Sequence, residues 1–216
     1  MLEIMNTQQI VNSPSNQELW KAAISNAGAV IVGLSLGWEL DKTKIVKPFN
    51  GNANEGMTRF LKIPDADMDL SYWESLLAFH VAGAVARQIA SVLPATTHAT
   101  TEGSILLFGC GVCSDGWLLN DNIIEAARHV IEMRQYDSNS LAAGKESGEV
   151  VDVSLDDALD AITEAEMEAE SIVADNWRKC IRVARALLEK PSGELTAAQV
   201  RKLIGQVKVQ TLPPLV

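Results

Sequence analysis

The sequence contains little cysteine and no recognisable signal for export or nucleotide binding. Three cysteines occur in 216 residues, and the segment MLEIMNTQQIVNS lacks the basic start of a secretion signal. This combination predicts a cytoplasmic protein without structural disulfides, because thiols stay reduced in that compartment. No GxxxxGK[ST] segment occurs, so the chain carries no Walker-type ATPase site of its own.

Positive charge is also scarce. Lysine and arginine number 18 against 28 aspartates and glutamates, which gives a net charge of −10 and a pI near 4.8. Phosphate backbones and anionic lipids repel such a chain, so we expect no nucleic acid and no membrane as partner. The uncharged run at residues 22–38 is short for a membrane span and contains polar and glycine residues. It therefore favours a buried helix of a soluble domain.

The length of the chain suits one domain. We predict a flexible arm at residues 1–14, a single domain at residues 15–207 and a tail at residues 208–216.

The first half of the domain shows two apolar helical patterns separated by short alternating runs. Residues 19–36 predict a helix ended by Gly37, and residues 71–92 predict a second helix. Residues 42–47 and 57–63 alternate as the strands of a hairpin do. The fold class predicted is mainly α with a small β hairpin, that is, α+β.

The second half reads as helical, with one polar interruption. A helix begins at Asn120 or Asp121, a polar loop occupies residues 136–151, and residues 155–190 show a continuous helical pattern. A short helix follows at residues 196–205. The many acids in the first half of the 155–190 pattern predict a solvated helix face.

The first helix contains the sequence Ser-Asn-Ala-Gly-Ala at residues 25–29. This stretch resembles the active-site helix of the FtsH-type zinc peptidases, whose motif is HEAGH, and Ala27-Gly28 match its centre. The helix at residues 71–92 resembles the small-residue helix that packs on the metal helix in that family. Residues 176–204 resemble the family's closing helix pair. The resemblance extends over residues 19–205 and implies an FtsH peptidase-domain-like helical fold without the AAA ATPase domain.

The three chemical positions of that motif are altered. Ser25 replaces the first histidine, Asn26 the glutamate and Ala29 the second histidine. In HExxH, two histidines hold Zn²⁺ and the glutamate deprotonates the zinc-bound water. The resemblance places a remnant third-ligand position at Asp121, with Asp115 as the second choice. One carboxylate does not hold zinc, so we expect no catalytic residue, metal or cofactor here, although zinc is the cofactor of the family.

Two other segments offer alternatives. His80 begins a second Ala-Gly segment, but a lone histidine there is expected in the core or at its rim. Cys110 and Cys113 form a CxxC pair, which fits a redox site, a metal site or a simple tight turn. Further metal ligands for that pair would have to come from His98, His129 or Cys180.

The sequence therefore predicts a non-catalytic binding or regulatory protein, an inactive relative of an FtsH-type metallopeptidase. The expected partner is a protein or peptide, and the chain forms a homo-oligomer or pairs with an active homologue. The alternatives are an active hydrolase or peptidase that uses Ser25 or the region of Cys110 and Cys113, and a redox or metal-binding module centred on CxxC.

Overall fold

The computed structural model describes residues 14–46, 55–63, 69–92, 121–143, 154–207 and 209. These residues form a mainly helical structure with a small antiparallel sheet, which confirms the α+β class. The elements are α1 (Pro14–Ser35), β1 (Glu39–Val46), β2 (Glu55–Lys62), α2 (Leu70–Val92), α3 (Asp121–Ala143), α4 (Leu155–Asp175), α5 (Trp177–Glu189), β3 (Glu194–Thr196) and α6 (Ala197–Ile204).

Helix α1 ends as its sequence predicts. Gly37 has a φ of 79°, a left-handed conformation that glycine adopts without steric cost. The amide of Trp38 donates to the carbonyl of Gly33 at 2.9 Å, closing the last turn. The chain then enters β1 directly, and the sheet lies against the second half of α1, where Asn26 and Gly33 meet it.

Helices α1 and α2 approach each other closely through small residues. A Cβ placed on Gly28 would lie 2.5 Å from Ala86 Cβ and 2.7 Å from Ala82 O, and a Cβ on Gly83 would overlap Ser25 Oγ. The glycines let the two backbones come together where larger side chains would separate them. The close contact that the small residues predict is confirmed.

The sheet has three strands in the order β2-β1-β3. The predicted β1–β2 hairpin is confirmed as an antiparallel pair, with Thr43 opposite Thr58. Strand β3 was not predicted, because its three residues are too short to show an alternating pattern. Trp38, Phe60 and Phe79 pack in edge-to-face and tilted arrangements, with ring centroids 4.8–5.5 Å apart, and join the sheet to α2.

Helix α2 is the centre of the helical layer and packs on α1, α3 and α4. Its buried side chains are Leu77, Ala78, Val81, Ala82, Val85, Ala86 and Ile89. Among the described residues, α2 is the one helix long and apolar enough to cross a membrane by length and composition alone. Helix α5 packs on the other side of α1, with Cys180 and Trp177 in the core.

Two predictions about the second half are wrong. Helix α3 continues to Ala143, so the first part of the predicted loop at 136–151 is helical. The predicted single helix at 155–190 is broken at Asn176, which has φ −111° and ψ 17°. Its Nδ2 donates to Ile172 O at 2.9 Å, and such side-chain competition for helix carbonyls explains the break.

The predicted solvated face on α4 is also wrong in part. Asp156, Asp157 and Asp160 are exposed, but Glu166 and Glu168 are half-buried. Several predictions lie outside the described residues: most of the arm and tail, the CxxC pair, His98 and Asp115.

Candidate functional site

The site predicted on α1 consists of Ser25, Asn26 and Ala29. Ser25 and Ala29 lie one turn apart on one helix face and are both half-buried. Asn26 lies beside them but is only 4% exposed. The helix therefore carries a hydroxyl, a carboxamide and a methyl group at the three positions that the resemblance assigns to the zinc motif.

Asn26 joins α1 to both strands of the hairpin. Its Nδ2 donates to the carbonyl oxygen of Lys44 on β1 at 2.7 Å. Its Oδ1 accepts from Thr58 Oγ1 of β2 at 3.5 Å, and Thr58 Oγ1 lies 3.0 Å from Thr43 Oγ1 on β1. Thr43 is fully buried. The amide thus uses its donor and its acceptor together in a polar chain beneath the sheet.

Strand β2 comes unusually close to α1 at this place. A Cβ added to Gly56 would overlap the side-chain amide of Asn26. Gly56 is therefore required for the close approach of the strand to the helix rather than for a turn, and its φ does not lie in the left-handed region. The contact leaves no room beside Asn26 for a larger side chain from the strand.

Ser25 faces α2 at Gly83, whose hydrogen atom gives the space for the serine hydroxyl. Among the described residues, no hydrogen bond joins Ser25 to a histidine or a carboxylate. His80 lies one turn before Gly83 on α2, is half-buried, and has its ring 5.7 Å from that of Phe79. Burial lowers the pKa of His80, so its imidazole is neutral at pH 7.

The residues at the motif positions do not fit zinc. Zinc sites in proteins use thiolate, imidazole and carboxylate ligands, and Ser25, Asn26 and Ala29 supply none of these. The part of the chain that the structure describes contains no group of three or more His, Cys, Asp or Glu placed to hold a metal. Asp121 is the first residue of α3, but its side chain lies outside the described set.

The two described residues that could add ligands to the CxxC pair, His129 and Cys180, lie on different helices. His129 on α3 stacks on Trp73 with ring centroids 4.0 Å apart, and its Nδ1 is 3.4 Å from Glu132 Oε2. Cys180 on α5 is fully buried, with Sγ 3.9 Å from the carbonyl oxygen of Ala27. Burial raises the pKa of the Cys180 thiol, which keeps it protonated and unsuited to binding a metal.

Reasoning from the sequence did not identify the polar chain of Asn26, Thr58 and Thr43. The two threonines occupy matching positions in the predicted hairpin, and this pairing was the available signal. This series of hydrogen bonds ends on Asn26 because of the way the hairpin docks on α1. A residue pattern within one element does not contain that information.

A scan against protein-family models gives no match for this chain. A search of curated proteins gives none either.

Proposed function

We propose that this chain is a zinc-peptidase-like domain that has lost its zinc chemistry and acts by binding a peptide or protein segment. One observation carries the proposal: Asn26, at the position of the general base, is buried and hydrogen-bonded to the sheet. A carboxamide does not take a proton at neutral pH, and this one already holds β1 and β2 against α1. The side chain therefore has a structural role that is incompatible with the catalytic one.

The surface proposed for binding is the free side of β2. In the described ranges, β2 pairs with β1 alone and forms one border of the sheet. Met57 is 38% exposed and Leu61 64% exposed, and both lie on the face of the strand away from α1. Arg59 between them forms an ion pair with Asp41 of β1.

An unpaired strand edge offers backbone donors and acceptors to a further strand. Extended segments bind such edges by strand addition, and side chains at alternate positions then give specificity. Met57 and Leu61 would contact apolar side chains spaced four residues apart on the bound segment. We propose that this segment is an extended peptide of another protein.

The test is a binding titration with a panel of short extended peptides that carry apolar residues at alternate positions. Backbone amide shifts of the full chain report where each peptide binds. We expect the largest shifts in residues 55–62, and weaker binding in the variants Met57→Lys and Leu61→Lys. Met167→Lys is the matched control, because Met167 is a 53% exposed methionine on α4.

Equal weakening by Met167→Lys, or unchanged binding in both β2 variants, would contradict the proposed surface. Hydrolysis of any peptide in the panel by the purified chain would contradict the non-catalytic role.

A further inference from the structure

A cluster of charged side chains lies where α2, α3 and α4 meet. Arg134 on α3 donates from Nη2 to Glu74 Oε1 of α2 at 2.8 Å, and from Nε to the same oxygen at 3.3 Å. The same Nη2 lies 2.7 Å from Glu164 Oε2 of α4. The Glu74 side chain is 15% exposed, so this ion pair belongs to the interface. The guanidinium of Arg134 therefore forms ion pairs with carboxylates from two other helices.

Glu168 adds a third carboxylate to this junction. It follows Glu164 by one turn on α4 and so lies on the same side of the helix. Its neighbours Ala165, Ala169 and Ile172 are buried in the core. Glu168 Oε1 is shielded from solvent and accepts no hydrogen bond from any residue that the structure describes.

The environment of Glu168 disfavours its charged form. Burial, and secondly the negative charge of Glu74, raise the pKa of Glu168 to about 7. Arg134 is the cation of the junction, and it is already in contact with Glu74 and Glu164. The described charged side chains of α1, Glu18 and Lys21, pair with each other. Among the described residues, the charge that raises the pKa of Glu168 is that of Glu74 on α2.

We propose that the junction of α2, α3 and α4 is a proton-dependent clamp controlled by Glu168. When Glu168 is protonated, Arg134 faces two carboxylates and the three helices pack together. When Glu168 is ionised, a third negative charge lies in the same interface and repels Glu74, and its Oε1 accepts no hydrogen bond from the described residues. The packing of α4 on α2 then weakens, and the arrangement of the helical layer depends on pH near neutrality.

The sign of the effect follows from proton binding. The pKa of Glu168 in the folded chain lies above its ordinary value of 4.5, so the folded state holds this proton more tightly than the unfolded state. Its contribution to stability is fully present below pH 4.5 and is lost as the pH rises through about 7. At low pH the ion pairs of Glu74 and Glu164 weaken as well, so the useful window lies between about pH 6 and pH 8.5.

A second glutamate on α4 titrates in the same range and has to be separated. Burial and the charge of Glu170 raise the pKa of Glu166 to about 7. The second cause of the raised pKa is Glu170 for Glu166 and Glu74 for Glu168. Removing the charge of Glu74 should therefore change the titration of Glu168 and leave that of Glu166 unchanged.

The direct test is an NMR titration of the glutamate carboxyl carbons in the full chain. We expect Glu168 to titrate with a midpoint near 7. In the variant Glu74→Gln we expect a lower midpoint for Glu168 and an unchanged one for Glu166. A Glu168 midpoint near 4.5, or a midpoint unaffected by Glu74→Gln, would overturn the proposal.

Thermal unfolding tests the consequence for packing. The melting temperature of the wild-type chain should fall between pH 6 and pH 8.5, and the fall should be smaller in Glu168→Gln, which carries no titrating charge. Asp156→Asn, an exposed change on the same helix, should keep the wild-type dependence. Equal pH dependence of the melting temperature in Glu168→Gln and Asp156→Asn would overturn the proposed clamp. If Glu168→Gln does not fold, the NMR titration of the wild-type chain tests the proposal alone.

Discussion

At the scale of single residues, Asn26 needs a donor and an acceptor at once. Its Nδ2 faces the carbonyl oxygen of Lys44, and its Oδ1 faces the hydroxyl of Thr58. A glutamate here would place a carboxylate against that carbonyl, in a site where the residue is only 4% exposed. Two acceptors without a proton between them repel each other, so this environment disfavours the general base of the zinc motif.

The first prediction concerns this amide. Asn26→Ala should lower the free energy of unfolding by about 1–3 kcal/mol, because it leaves a buried carbonyl without its donor. Urea unfolding measures the change. Ser25→Ala, one residue earlier and without a hydrogen bond in the described structure, should cost much less. Equal losses in the two variants would mean that the hydrogen bond to Lys44 does not hold the sheet.

A second prediction concerns Cys180. Its side chain is fully buried, and burial raises the pKa of its thiol, so the reactive thiolate is not available in the folded chain. We expect no alkylation of Cys180 by iodoacetamide in native protein at pH 8, and rapid alkylation in urea, both followed by peptide mass spectrometry. Alkylation at similar rates in the two conditions would contradict the placement of α5 on α1.

The helical position of Asn26 could be predicted from the sequence, but the partners of its side chain could not. The acceptor Lys44 and the donor Thr58 lie 18 and 32 residues away. Contacts over such distances depend on how the hairpin docks, and residue patterns within one element do not contain that information. The half-buried state of Glu168 was missed for the same reason, since α2 and α3 create it.

At the scale of elements, long apolar runs were sufficient to predict α1 and α2, and their small residues predicted the contact between them. The break between α4 and α5 was not predicted, because the apolar positions continue on both sides of Asn176. A local competition for the carbonyl of Ile172 ends the helix there, and hydrophobic periodicity does not report such competition.

The third prediction tests the α1–α2 contact. Gly28→Leu should cost about 1–3 kcal/mol or more of unfolding free energy through overpacking. Gly28→Ala should also destabilise the chain, although alanine favours helices by about 1 kcal/mol over glycine. Ala86→Gly should recover part of that loss, since Ala86 Cβ is the nearest atom to the added methyl group.

Thermal melting of the single and double variants measures this coupling. A Gly28→Leu protein with the wild-type melting temperature would show that α1 does not sit against α2 at Gly28.

At the scale of the whole molecule, the order of elements is helix, hairpin, helix and then a helical second half. The sequence predicted this order, except for β3 and the break between α4 and α5, because the other elements carry their own periodicity or turn signals. The hypothesis that the scaffold is that of a zinc peptidase rests on the residues of α1, α2 and α5–α6 that carry the resemblance. This hypothesis is tested by asking whether histidines introduced into α1 bind zinc.

The fourth prediction is therefore about a restored pair of histidines. Ser25→His with Ala29→His places two imidazoles one turn apart on the half-buried face of α1. We expect calorimetric titration to detect zinc binding. The affinity should be about 10–100-fold lower than that of a site whose histidines are supported by further hydrogen bonds. Adding Asn26→Glu should destabilise the chain, since it removes the bond to Lys44.

Asp121→Ala in the same background tests the remnant third ligand. Loss of zinc binding on Asp121→Ala supports that position, and unchanged binding rules it out. A folded double variant that binds no zinc would remove the main support for α1 as a former metal helix.

The central claim, that this chain acts without the zinc chemistry of the scaffold it resembles, is tested most directly by its metal content. The untagged wild-type protein is incubated with zinc, dialysed and measured by mass spectrometry for zinc per chain. We predict far less than one zinc per chain, because Ser25, Asn26 and Ala29 supply no ligand of the kind zinc requires. One zinc per chain that survives dialysis and is lost in Asp121→Ala would contradict the claim.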